Sequence, residues 1–434
     1  MKSKVILILA SIIFISKLAS AGIFFKEERI VTNDIESLGN IDAFVKNNLY
    51  NNNYFERIGN ICYLKRPLHI SYNSTFYFKG EDCAELRLYP GSYLRIGGKS
   101  FFSNIRITSA SFEDGKPIQI SKEKYASPRP YIYTTDEPVD YIYIDNSEFS
   151  HLGYYEPDEG STWGLAFYNV NAGLIKNSSF HNNYFGIYSF NTKNLEIYNS
   201  SIYDNLEYGL DFHDYSDNFL IKGNRIWNNG NHALIFSKFC KNNTIEGNYI
   251  FNNTQYAFVK GITKDYRTHG IMLHEASDEN TIVNNRLDNN ADSIYIFKSN
   301  GNTIDKNKII SDTEHGIYLD NSSNNSITNN IVLDTSGFGL YSYYSSNNYS
   351  GNYFKKGTYF KYGEEGNEKT FRDENTFLES EKMQTFEIEE HVPRPTDFFL
   401  AKTITLAIIM SLAIIIFIVE IIYKSFNNDT SQFD

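Results

Sequence analysis

Eight short apolar segments of this chain, WGLAF, FGIYS, YGLDF, HALIF, HGIML, DSIYI, HGIYL and FGLYS, fall into one register. Their second residues are Gly164, Gly186, Gly209, Ala233, Gly270, Ser293, Gly316 and Gly339, and subtraction of neighbouring numbers gives steps of 22, 23, 24, 37, 23, 23 and 23. A period this regular constrains the fold more than any composition figure, because equivalent coils must stack and each must bury its neighbour's apolar side. The step of 37 carries an insertion. A second strand in each coil follows a polar signal, as in NFLIKGN, NNTIEGN, ENTIVNN, GNTIDKN and NNSITNN, and brings Asn224, Asn248, Asn285, Asn307 and Asn330 to one position. Asparagines stacked at a bend hydrogen-bond along the ladder and tolerate left-handed backbone, so this column is structural rather than catalytic.

The residue after the glycine position is always aliphatic: Leu165, Ile187, Leu210, Leu234, Ile271, Ile294, Ile317 and Leu340. Side chains alternate along a strand, so these residues point inward together with Phe167, Phe212, Phe236, Leu273, Ile296 and Leu319, and the residues between them point out. Coils of this length with short strands are similar to the right-handed parallel β-helix repeats of pectin- and alginate-modifying proteins. The resemblance implies an all-β solenoid, a right-handed parallel β-helix with 22–24 residues per coil, each coil adding about 4.8 Å along the axis.

Two outward columns follow. One runs Ala166, Tyr188, Asp211, Ile235, Met272, Tyr295, Tyr318, Tyr341, and the other Tyr168, Phe190, His213, Ser237, His274, Phe297, Asp320, Tyr343. The pattern predicts an exposed aromatic strip that suits a long sugar chain, with Tyr188, Phe190, Tyr295 and His274 as substrate-binding candidates. Asp211 and His213 share a face, Tyr208 precedes them, and Asp214 ends the strand. Lys238, in HALIFSK, occupies the register of Asp214 one coil on, about 5 Å away. The insertion TQYAFVKGITKDYRT brings Lys260, Lys264 and Arg267 against a single Asp265, and is expected to overhang the groove and offer an acidic polymer local positive potential.

YGLDFHD resembles the YGxDPHD signature of mannuronan C5-epimerases, and HALIFSK resembles that family's HGIIxSR strand. Weaker similarity runs from about Arg129 to Phe354. The resemblance implies that His213 removes the C5 proton with Asp211 beside it, that Tyr208 serves the opposite sugar face, and that Lys238 neutralises the substrate carboxylate; Asp214 joins the substrate-binding set. Phe212 replaces the motif proline, and Lys238 replaces arginine. The chemistry asks for such groups independently. A uronate C5–H is poorly acidic until the adjacent carboxylate is neutralised, so a cation must hold that carboxylate while a neutral base takes the proton. Histidine, with a reference pKa near 6.5, supplies such a base near neutrality. Epimerase and polysaccharide lyase share this first step, and a non-catalytic glycan-binding or adhesive surface protein is the reading from a different class. No cofactor is expected: Ca²⁺ has no spaced ligand loop here, and no metal ligand is assigned.

The ends place this body. Lys2 and Lys4, the apolar run Val5 to Phe14 and the small residues Ala19 and Ala21 predict a signal peptide over residues 1–21. Thr403 to Ile422 is almost wholly aliphatic, long enough for one transmembrane helix, with residues 423–434 as a cytoplasmic tail. Residues 22–125 are expected to cap or lead into the solenoid, residues 126–354 to form it, and residues 355–397 to make an end cap and acidic stalk. The expected location is extracytoplasmic, with membrane contact through the C-terminal helix. Of three cysteines, Cys62 and Cys83 are close enough to bridge, leaving Cys240 over. A formal charge of −12 argues against nucleic acid as a partner; the partner expected is an acidic polysaccharide.

Overall fold

The computed structural model describes residues 22–48, 53–157, 159–254, 267–355, 359–362 and 373–377. Residues 1–21, Lys260, Lys264, residues 403–422 and the tail beyond them lie outside these. So does most of 355–397. Among the described residues no helix is long and apolar enough to cross a membrane.

The described chain winds through three sheets of 14, 12 and 14 strands, and each sheet grows by one strand per coil. Successive strands pair in parallel. On the first sheet the register runs Ile187 to Leu210 to Leu234 to Ile271 to Ile294 to Ile317 to Leu340, as the period predicts. The aliphatic column and its phenylalanines share one continuous core with the second and third sheets. The sheets form an all-β parallel helix, and among the described residues its strands depart from parallel pairing at two hairpins in the first coil, Ile23–Lys26 with Arg29–Thr32 and Phe55–Ile58 with Ile61–Leu64. Between these hairpins the helix Leu38–Asn47 buries Leu38, Ile41 and Val45 in the same core, its first turn capped by Ser37 Oγ, which accepts from the Asn40 N–H. A solenoid needs such a cover where no further coil continues the sheets. Cys62 is disulfide-bonded to Cys83 on the following coil, with their Cα atoms 5.7 Å apart, and Cys240 is a buried free thiol.

The asparagine ladder is present and fully buried. Each amide donates to the next, Asn224 to Asn248, Asn248 to Asn285, Asn285 to Asn307 and Asn307 to Asn330, all at 3.0 Å. Each side-chain oxygen also accepts the backbone N–H of the coil before, as Asn248 Oδ1 does from Asn224 N at 2.9 Å. The left-handed residue expected at this bend is not the ladder asparagine but its predecessor: Gly223 (φ 67°), Gly247 (63°), Asn284 (56°), Lys306 (55°) and Asn329 (54°). An amide that must reach inward along the ladder sits on ordinary backbone, and the reversal falls to its outward neighbour.

Candidate active site

The strand Leu210–His213 lies in the first sheet between Ile187–Phe190 and Leu234–Ser237. Leu210 and Phe212 enter the core and turn Asp211 and His213 to the outer face. Asp211 is nonetheless buried, and His213 keeps 31% of its side chain exposed. His213 Nε2 stands 3.2 Å from Asp211 Oδ1 and Nδ1 stands 3.5 Å from Asp214 Oδ1, so the imidazole is clasped between two carboxylates. Burial alone lowers its affinity for a proton; the charge of Asp211 and then the Asp214 carboxylate overcome that and push the pKa up to about 9. The clasp therefore favours the protonated imidazole. His213 in turn holds the Asp214 carboxyl below its usual range, against burial, and the charge of Lys238 adds to this. Lys238 faces Asp214 across the ladder, where Asp214 N donates to Ser237 O and Tyr215 N to Lys238 O.

Tyr208 precedes the strand, its ring edge-on to Phe185 at 4.9 Å and to His232 at 5.3 Å. His274, two coils from His213, accepts or shares a proton with Ser237 Oγ at 3.0 Å and stacks on Phe297. Burial, and then the charge of His213, push its pKa down to about 3, so it is neutral.

The aromatic strip is where expectation and structure part. Tyr188, Tyr295 and Phe297 are buried and Phe190 is half-buried. Tyr188 packs with Ala166, Tyr184 and Phe185 in a cluster outside the solenoid core, joined by Ile120, Tyr125, Tyr155 and Trp163; Ile235, Met272, Tyr295 and Phe297 form another. Rings on neighbouring coils approach as closely as the coil spacing, as Tyr295 does to Tyr318 at 4.6 Å, and cover one another. Burial pushes the Tyr188 and Tyr295 phenols above their ordinary pKa.

A third outward column escaped the sequence reading, although it begins every quoted segment: Trp163, Phe185, Tyr208, His232, His269, Asp292, His315, Phe338. His269 Nδ1 lies 3.1 Å from Asp292 Oδ2, an ion-pair distance, and both side chains are buried. Burial raises the Asp292 carboxyl, yet His269, then His315 and Arg267, hold it below its usual range. Arg267, expected on a groove-covering loop, thus acts on this column. His232 Nδ1 accepts the His269 N–H and His315 Nδ1 accepts the Phe338 N–H, so burial keeps both imidazoles neutral, His315 with a pKa of about 4. Glu207, likewise missed, is buried with Asn231 donating to it at 3.3 Å; burial pushes its pKa up to about 8. The signal for the histidine column was the same period that found the others. Among the described residues no group of acidic, histidine and cysteine side chains is arranged to hold a metal ion.

The family described as Right handed beta helix region matches residues 131–285 and 262–377, which together exceed half of the 434 residues. The chain belongs to that family. It is 25% identical over 278 residues to the mannuronan C5-epimerase of Pseudomonas putida, an alignment covering 60% of this chain and 50% of the relative. The alignment thus reaches only about half the length of that curated protein. The crystal structure of the periplasmic alginate epimerase AlgG superposes with a TM-score of 0.66 at 18% identity, over 81% of this chain and 85% of that one; this likeness establishes the shared fold.

Proposed function

We propose that the protein epimerises uronate residues at C5 in an acidic polysaccharide of the mannuronan type. The observation that carries the reading is the clasped Asp211–His213–Asp214 group on the outer face of the solenoid, with Tyr208 before it and Lys238 one coil on. The name of the Pseudomonas putida relative supports the same chemistry. In this mechanism Lys238 neutralises the uronate carboxylate and the deprotonated fraction of His213 takes the C5 proton, leaving the electron pair delocalised into that carboxylate. Asp211 and Asp214 stabilise the imidazolium that results. Tyr208 returns a proton to the opposite face of C5, and solvent resets both groups. Expulsion of the C4 oxygen from the same intermediate would instead cleave the chain, as in a lyase. The repeat domain works outside the cytoplasm, exported by residues 1–21 and anchored by residues 403–422.

The test is proton NMR of polymannuronate and other polyuronates incubated in D₂O with the full-length protein, beside His213→Ala. Deuterium at an inverted C5, absent in the variant, supports the epimerase. Unsaturated uronate absorbance without inversion would replace it by the lyase, and neither product across the panel would sink both enzymatic readings.

A further inference from the structure

The turn that leaves the first sheet differs among coils. After Tyr168, Phe190, Phe297, Asp320 and Tyr343 a single residue takes a left-handed backbone: Asn169, Asn191, Lys298, Asn321 and Tyr344. Three successive coils insert one residue more, giving the pairs Asp214 (φ 21°) and Tyr215 (63°), Lys238 (63°) and Phe239 (62°), and Glu275 (46°) and Ala276 (58°). These are the coils that carry His213, Ser237 and His274. The buried residues that follow, Ser216, Cys240 and Ser277, resume the common register. The extra residue therefore changes only what is presented beside the candidate site.

What it presents is aromatic. Tyr215 is 50% exposed and Phe239 45% exposed, with their rings 5.3 Å apart and within 10° of parallel. Bulky side chains are uncommon on left-handed backbone, where three of the other coils use asparagine and one, at Tyr344, an exposed ring. The third coil places small Ala276 next in the column, so no third ring caps the pair on the Phe239 side. Meanwhile the rings of the expected strip, Tyr188, Tyr295 and Phe297, are buried. Tyr215 and Phe239 directly follow Asp214 and Lys238, so the exposed rings stand on the same turns as one carboxylate of the clasp and the cation. A pyranuronate has apolar C–H faces that stack on such rings and a carboxylate that seeks the cation.

We infer that Tyr215 and Phe239 form a sugar-stacking subsite on the flank of the Asp211–His213–Asp214 group, holding a pyranose ring of the uronate chain next to the unit being processed. This rests on the proposed reaction for the identity of the sugar, and on exposure and stacking for its position. It makes the two rings positioning groups for a polymer rather than participants in proton transfer.

The test uses Tyr215→Asn and Phe239→Asn, since asparagine occupies the same left-handed turn in other coils, with Phe239→Tyr as the conservative control. Thermal unfolding checks that each variant is folded. Calorimetric binding of oligomannuronates of defined length is measured beside C5 deuterium exchange. Each asparagine variant should weaken binding of long oligomers roughly three- to tenfold, raise KM by the same factor with little change in kcat, and leave the shortest substrates unaffected; Phe239→Tyr should bind as the parent does. Exchange that persists with unchanged KM and unchanged binding overturns the subsite alone. Binding that is lost on substitution in a protein showing no exchange keeps the subsite and overturns the epimerase reading. A folded parent that neither binds nor exchanges any uronate oligomer overturns both.

Discussion

At His213 burial and charge pull the proton in opposite directions, and the two flanking carboxylates win, with the pKa pushed up to about 9. If the unprotonated imidazole is the base, kcat/KM for C5 exchange should rise about tenfold per pH unit between pH 7 and 9 and level off above. Asp211→Asn, which keeps the shape and removes the charge, should move that limb to lower pH; a limb near 6.5 in the parent protein would remove the clasp from the mechanism. Asp312 is the opposite case. It stands in a buried column where Asn253 and Asn290 precede it, accepts the Asn290 N–H, and is pushed well above the ordinary carboxyl range by burial. The folded protein thus holds a proton there that the unfolded chain gives up, so folding stability falls as pH rises above the unfolded value near 3.8. Asp312→Asn should match the parent in acid and unfold at a temperature increasingly above the parent's as pH increases; equal melting curves at pH 8 would refute this. The clasp itself was legible in YGLDFHD, because two of its members sit two residues apart on one strand. Its proton affinity was not, since that depends on how deeply Asp211 is buried. The His269–Asp292 pair was missed because its partners are 23 residues apart and meet only through the coil repeat.

For the coil as an element, the ladder asparagines do several jobs at once. Asn248 donates to Ile221 O at 2.8 Å and to Asn285, and accepts from the backbone and the side chain of Asn224. Asn248→Ala would strand these buried partners, at a cost of about 1–3 kcal/mol for each one left unsatisfied, which urea unfolding would detect as a lower midpoint. The same truncation at exposed Asn40, on ordinary helical backbone, should change little by comparison. Sequence spacing found this column but assigned the left-handed backbone to the wrong residue, since glycine, asparagine and lysine all occupy the true position. The one-residue lengthening of three successive turns was hidden for a related reason. A period counted from one glycine to the next does not say in which turn an extra residue sits.

Over the whole molecule, stability comes from neighbouring coils, so a covalent link between two of them matters most near an end. The Cys62–Cys83 bond spans 21 residues at the first coils; replacing both cysteines by serine should cost about 3 kcal/mol in the chain-entropy account, seen as hydrogen exchange that quickens in the first coils before the central ones. Uniform quickening would mean that the solenoid unfolds as one unit. The amino-acid sequence by itself determined the period, the inward columns, the shared face of Asp211 and His213 and the coil that carries Lys238, because strand alternation and coil stacking are local rules repeated. Only the tertiary structure decided which outward rings meet solvent. Tyr188 is buried in a cluster joined by residues as distant in sequence as Ile120 and Tyr125, and Tyr295 is covered by rings on adjacent coils, whereas Tyr215 and Phe239 stay exposed on lengthened turns. Direction relative to a strand follows from its own residues; burial depends on everything else that packs there.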